Sequence, residues 1–109
     1  MVGKIEIIIS PQVITYLNDL VIILYKKEYF GFIESAEEYV AKIYEAIEKN
    51  LKFGVYKSTP TEIHFLGKNY FFYHSNPRTT WYIFFEKFQN KILVTGILNN
   101  HSPLANELK

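Results

Sequence analysis

Thr79-Thr80-Trp81-Tyr82-Ile83-Phe84-Phe85-Glu86-Lys87-Phe88-Gln89-Asn90-Lys91-Ile92-Leu93-Val94, running on to Asn99-Asn100-His101, reads as two apolar β-strands joined by a tight reversal. If Gln89-Asn90 form the tip, Phe88 pairs with Lys91 and each earlier residue with a later one. Counting back along that register sets Arg78 opposite His101. A fixed cation then stands beside a residue of the type that titrates near neutrality, at a rim where apolar strands give way to polar residues. Both strands are apolar on their two faces, so they belong in the middle of a sheet, with helices on one side and more protein on the other.

Outward from the hairpin, the preceding segments form a meander: a strand from Glu62 to Leu66, a Gly67-Lys68 turn, a strand from Asn69 to His74, then a Ser75-Asn76-Pro77 turn. These connections are short, so neighbouring strands run antiparallel. Near the start, Lys4 to Ile9 is a β-branched strand with Ile5, Ile7 and Ile9 on one face. Ser10-Pro11 ends it and opens a helix, serine as N-cap and proline at the first helical position. Val13, Leu17, Leu20 and Leu24 carry that helix at helical spacing to about Lys26. Val21, Ile22, Ile23 and Leu24 point in four directions, which calls for cover on more than one side and marks them as partner-binding residues. After Tyr29-Phe30-Gly31, the Ser35-Ala36-Glu37-Glu38 run has capping-box spacing and starts a second helix to about Asn50. Its stripe is Ala36, Tyr39, Val40, Ile43 and Ile47; Glu37, Lys42, Glu45 and Glu48 form a solvated face. Gly54, Ser58 and Pro60 mark the loop that follows, and the tail from Ser102-Pro103 forms a helical turn or two. The expected fold is α+β: two N-terminal helices packed on a mostly antiparallel sheet, in the order β-α-α-β-β-β-β.

At 109 residues the chain is one domain, 1–109, able to bury about 65% of its unfolded surface. Nine Phe, nine Tyr and one Trp exceed what such a core hides, so an aromatic contact face is expected. A net charge of +1 gives no strong field for non-specific nucleic-acid binding and leaves only a local basic patch. Without cysteine there are no disulfides or thiolate metal sites, as suits a reducing compartment. No apolar run is long enough to span a bilayer, and Glu6 interrupts what would be the core of a secretion signal. The expectation is a cytoplasmic protein with no membrane association.

The element order, the chain length, the early Ser-Pro helix start and a histidine just past the last strand resemble the RelE/ParE superfamily of toxins from bacterial toxin–antitoxin pairs. Tyr29-Phe30-Gly31-Phe32, Gly67-Lys68-Asn69, Thr80-Trp81-Tyr82-Ile83-Phe84-Phe85 and Asn99-Asn100-His101 look like an uncharacterised branch of it. The resemblance implies a small α+β domain whose sheet is wrapped by a helix pair and completed by a docked antitoxin segment. It leaves two activities open: RelE-type members cut messenger RNA on the ribosome, whereas ParE-type members inhibit DNA gyrase.

Metal-free RNA cleavage needs a base for the 2′-hydroxyl, a cation for the phosphate and an acid for the departing 5′-oxygen. By resemblance, His101 corresponds to the acid or base histidine of ribosome-dependent nucleases; otherwise it is a surface histidine. Arg78 is the natural phosphate clamp, since guanidinium matches two oxygens at once. Family nucleases usually carry an arginine inside the strand where this chain has Trp81, so Arg78 would reach over from the turn. His74, at the same end, is the third catalytic candidate, against the plainer reading of a half-buried ring with one hydrogen bond. His64 falls on the opposite face of an outer strand and carries no catalytic role. Lys52 and Lys57, flanking Phe53 and Tyr56, suit phosphate contacts and base stacking and are expected to reach the same rim. Trp81 could stack a base or lie in the core; Asn99 and Asn100 could read a base edge, position His101 or simply end a strand. Three dispersed histidines lack zinc spacing, so neither metal nor cofactor is expected. The expected partners are a cognate antitoxin and either the ribosome with its mRNA or gyrase, a non-toxic binding module being the remaining alternative.

Overall fold

A computed structural model describes residues 4–27, 32–53 and 56–108, and shows an α+β fold. In chain order it runs β1 (Glu6–Ile9), α1 (Pro11–Lys26), α2 (Ile33–Phe53), β2 (Lys57–Ser58), a first 3-10 helix (Thr61–Leu66), β3 (Asn69–Asn76), β4 (Thr79–Phe88), β5 (Lys91–Asn99) and a second 3-10 helix (Pro103–Leu108). The five strands form one sheet in the order β1-β5-β4-β3-β2, antiparallel except for β1, which lies parallel to β5. The breaks expected at Tyr29-Phe30-Gly31 and Gly54 lie outside the described residues. No helix among the described residues is long and apolar enough to cross a membrane.

The local signals act where the sequence places them. Ser10 Oγ accepts the Val13 N–H at 3.4 Å and Pro11 occupies the first turn of α1, so the strand hands over to the helix without an orphaned donor at that position. The hairpin closes at Phe88 and Lys91, with Gln89 taking the positive φ of 55°. Asn90 ties this tip to the start of the sheet, its carbonyl accepting the Glu6 N–H at 2.8 Å and its Nδ2 donating to the Lys4 carbonyl at 3.0 Å. The helix α2 departs from its expected start. It begins at Ile33, with the Ser35 N–H bonded to the Phe32 carbonyl, so Ser35 sits inside the first turn and no capping box forms there. It also continues past Asn50, because Leu51 extends the Ile43, Ile47 stripe by another four residues and is buried.

The strand expected from Glu62 to Leu66 is a 3-10 helix instead. An alternation of apolar and polar residues over five positions also satisfies a period of three, and here Ile63 and Leu66 pack together on the sheet while Phe65 is 73% exposed. His64 accordingly sits on a helical turn, its carbonyl accepting the Gly67 N–H, and not on the back of a strand. The edge strand is the two-residue β2, which pairs Lys57 with Tyr70 and Ser58 with Asn69.

The sheet separates two apolar clusters. On the helix face, Ile83, Phe85 and Val94 meet Leu17, Ile43 and Ile47 from α1 and α2. On the outer face, Tyr70, Phe84 and Leu98 are covered by Ile63 of the first 3-10 helix and Ala105 of the second. A β-bulge lies between them: Phe84 pairs with Gly96 but Phe85 pairs with Val94, leaving Thr95 as the extra residue. Thr95 Oγ1 donates to the Leu66 carbonyl at 2.6 Å, fastening the 3-10 helix to the bulge. The approach is so close that a Cβ on Gly96 would lie 2.9 Å from the Leu66 carbonyl oxygen.

Candidate functional site

The bulge rewrites the register at the rim. Beyond it Trp81 pairs with Asn99, and the Asn100 N–H donates to the Thr80 carbonyl at 3.0 Å. The next step of the count reaches Thr79, so Arg78 does not stand opposite His101. The pairing expected from the unbulged hairpin is displaced by one residue, and with it the shared pocket.

The turn of β3 into β4 is Pro77-Arg78, and Arg78 is exposed at its tip. Two asparagines hold its backbone. Asn76 Oδ1 accepts the Arg78 N–H at 2.8 Å and Asn100 Nδ2 donates to the Arg78 carbonyl at 3.1 Å. Because Asn100 Oδ1 also accepts the Thr80 N–H at 2.9 Å, Asn100 is a tie between strand ends rather than a reader of bases. His74 lies on the outer face, across the sheet from the helices. Its Nδ1 meets Thr80 Oγ1 at 2.7 Å and its ring stands edge-on to Phe72 at 5.2 Å.

His101 belongs to the helix side. It lines a cleft of about 550 Å³ between α1 and the rim of β3, β4 and β5. Tyr16, Leu20 and Ile23 of α1, with Lys27 just past its end, form one wall, while Asn76, Thr79 and Asn99 contribute from the strand ends. These residues are spaced four, three and four apart, a helical face that borders the core stripe and shares Leu20 with it. The floor is Trp81, which is 2% exposed and therefore core, not a stacking platform. Its Nε1 donates to Tyr39 Oη at 3.0 Å; Tyr39 shares a 2.7 Å hydrogen bond with Ser75 Oγ, and Ser75 donates to the Thr79 carbonyl at 3.3 Å. This chain pins the floor to the rim.

The cleft is rich in donors. Asn99 Oδ1 accepts the His101 N–H at 2.9 Å, just as Asn76 Oδ1 accepts the Arg78 N–H, so each carboxamide has its oxygen engaged and offers its Nδ2. The Tyr16 phenol is pushed above its ordinary value of 10.0 by burial and, less, by Tyr39, and it stays a protonated donor. Lys27 adds an ammonium. No acidic side chain is among the described residues that line the cleft. Such a lining favours an anion, while Leu20 and Ile23 offer it an apolar wall.

The remaining candidates sit elsewhere. Lys52 bonds Glu48 Oε1 at 2.8 Å and lines a separate groove between β1 and α2. Lys57 enters the sheet beside Tyr70, far from the β3–β4 turn, since the segment after it does not return as a strand; its Nζ lies 5.4 Å from the centre of the Phe72 ring. Nothing is described of the Phe53 side chain. Of the four apolar residues of α1 singled out for a partner, Val21 and Leu24 pack against the core, and Ile22 and Ile23 are exposed at 43% and 45%. Ile14 and Tyr25, also exposed, share the Ile22 side of the helix, whereas Ile23 faces the cleft. No group of three or more His, Asp or Glu side chains gathers among the described residues.

Sequence reasoning missed Tyr16, Lys27 and Asn76. The first two were legible as the second face of α1; Asn76 required the turn geometry. Comparison with protein-family models, with curated proteins and with solved structures finds no match to this chain.

Proposed function

We propose that the chain is the toxin-like component of a two-gene module, acting as a metal-independent endoribonuclease on mRNA at the ribosome, with the α1 cleft as its site. The observation that carries this reading is the lining itself: an imidazole, an ammonium, two carboxamides and a protonated phenol, with no carboxylate among the described residues that line the cleft. A phosphodiester is the anion that uses all of them. Lys27 takes the phosphate-holding role that the sequence offered to Arg78, and Asn76, Asn99 and Tyr16 donate to the non-bridging oxygens as charge builds there. His101 removes the 2′-hydroxyl proton, and the resulting imidazolium is the group that can return a proton to the departing 5′-oxygen. Leu20 and Ile23 hold the sugar and base edge. An antitoxin segment covers the exposed Ile14, Ile22 and Tyr25 side of α1, as the resemblance to RelE/ParE toxins implies.

A second reading, ParE-type gyrase inhibition or a non-toxic binding module, draws on one observation: His74, Arg78 and His101 do not share a pocket. Inducible expression separates the readings. The nuclease reading expects growth arrest with cut transcripts, abolished by His101→Ala, lowered at least about tenfold by Lys27→Ala and largely kept by Arg78→Ala. Arrest with DNA damage that all three variants retain points to gyrase, and absence of arrest points to a binding module.

A further inference from the structure

The outer face of the sheet carries an aromatic patch that the cleft does not use. Phe72 on β3 is 41% exposed between His74, whose ring is 5.2 Å away, and Tyr82 of β4 at 6.5 Å. Lys57 Nζ lies over the Phe72 ring at 5.4 Å. Thr80 engages His74 Nδ1 and so holds that ring in place, with Nε2 left as its second polar atom. An aromatic face beside an imidazole and an ammonium suits one residue within a strand held at several points, whose base stacks while the adjoining phosphate takes the cation. The acidic residue of β4 on this side, Glu86, is four positions from Tyr82 and accepts the Lys68 N–H at 2.8 Å.

The patch and the cleft lie on opposite faces of the sheet and approach each other at one place, the Pro77-Arg78 turn. Asn76, Thr79 and His101 belong to the cleft side; His74 and Thr80 belong to the outer side. Arg78 stands exposed at the tip between them. Three cations, Lys27, Arg78 and Lys57, thus mark out a path from the cleft across the rim to the aromatic patch, although the chain as a whole carries only +1. That arrangement complements an extended polyanion rather than a single phosphate.

We infer that single-stranded RNA crosses the rim of the sheet at Arg78 and stacks an unpaired base on Phe72, with the edge-on His74 ring beside it and Lys57 on the adjoining phosphate. The inference rests on the nuclease reading for its ligand class but on different residues. Phe72 is thereby a binding residue, remote from the reacting atoms, and Arg78 gains a function in guiding the strand instead of clamping the scissile phosphate.

The test measures binding of a fluorescently labelled single-stranded oligoribonucleotide and of a uridine mononucleotide to the full chain carrying His101→Ala, which prevents cleavage. Phe72→Leu, which keeps apolar bulk but removes the aromatic face, weakens the oligonucleotide about tenfold, and Phe72→Tyr binds as the parent does. Lys57→Ala and Arg78→Ala each lower the salt dependence of oligonucleotide binding by about one unit of slope. None of these three losses extends to the mononucleotide, which Lys27→Ala weakens. Equal oligonucleotide binding by Phe72→Leu and the parent overturns the stacking platform; if Lys27→Ala is still defective, the cleft reading survives. A parent chain that binds neither probe overturns both.

Discussion

On the helix side of the sheet Ile83 and Phe85 are fully enclosed, whereas on the outer side Phe84 is enclosed but Phe72, on the neighbouring strand, leaves 41% of its surface in solvent. The difference follows from what covers each side. The 21-residue α2 is about 30 Å long and runs the length of a strand. Each outer 3-10 segment has six residues, the first of them kinked at Ile63, and spans at most about 12 Å, less than half the length of β4. The long cover yields a continuous core, and the short covers yield a small core at one end with an aromatic surface beside it. Stability is thereby concentrated on one face, and the other is free to present rings to a ligand.

The sharpest way to break this comparison is a matched pair of truncations. Phe85→Ala should destabilise the fold by about 4 kcal/mol in urea unfolding, since it empties a site with no exposure. Phe72→Ala should cost less than about 1 kcal/mol. Similar values for the two would mean that the outer face is as closed as the inner. Next in size is Gly67→Ala. Gly67 has φ +148°, and an added Cβ would lie 2.6 Å from Thr95 Oγ1 and 2.8 Å from the Phe85 backbone nitrogen. A loss of about 2 to 3 kcal/mol is expected, with faster hydrogen exchange confined to the first 3-10 helix and the bulge. Uniform exchange across both faces would show instead that the two clusters open together.

The smallest effect is in alkali, where each face has its own reporter. Burial raises the Tyr16 phenol on the cleft side and the Tyr70 phenol on the outer side above 10.0, with Tyr39 and Tyr82 as lesser causes. The folded chain therefore keeps protons that the unfolded chain has lost above about pH 10. Their contribution is complete below that value and falls away as pH rises through the raised values. Unfolding midpoints should be flat from neutrality to about pH 9 and decline above pH 10. Burial raises the Tyr44 phenol as well, so the decline should be shallower in each of Tyr16→Phe, Tyr44→Phe and Tyr70→Phe, and a decline unchanged in all three would remove tyrosine burial as its cause.

Much of the architecture was legible because its signals are local. Ser10-Pro11 caps α1 without reference to the rest of the chain, and Phe88 with Lys91 needs only a two-residue tip. The apolar runs of β4 and β5 announced central strands, and they are central. The run from Glu62 to Leu66 was not legible in the same way, since five residues fit a strand and a 3-10 helix equally well; burial of Ile63 and Leu66 together on Tyr70 and Phe84 selects the helix. The candidate site fared unevenly. His101 and Asn99 do line a cleft, whereas Arg78, His74, Lys52 and Lys57 are distributed over a turn, the outer face, another groove and an edge strand.

By itself the sequence determined the two long helices and the central strands, the α+β class, and the polar rim where β5 ends at Asn99-Asn100-His101, because periodicity, caps and turn residues act over a few positions. Only the tertiary structure decided which rim residues meet. That outcome turns on one extra residue, Thr95, whose hydroxyl holds the Leu66 carbonyl of a segment 29 positions away. A register shift set by so distant a contact leaves no mark on the local pattern, yet it moves every side chain beyond it by one place.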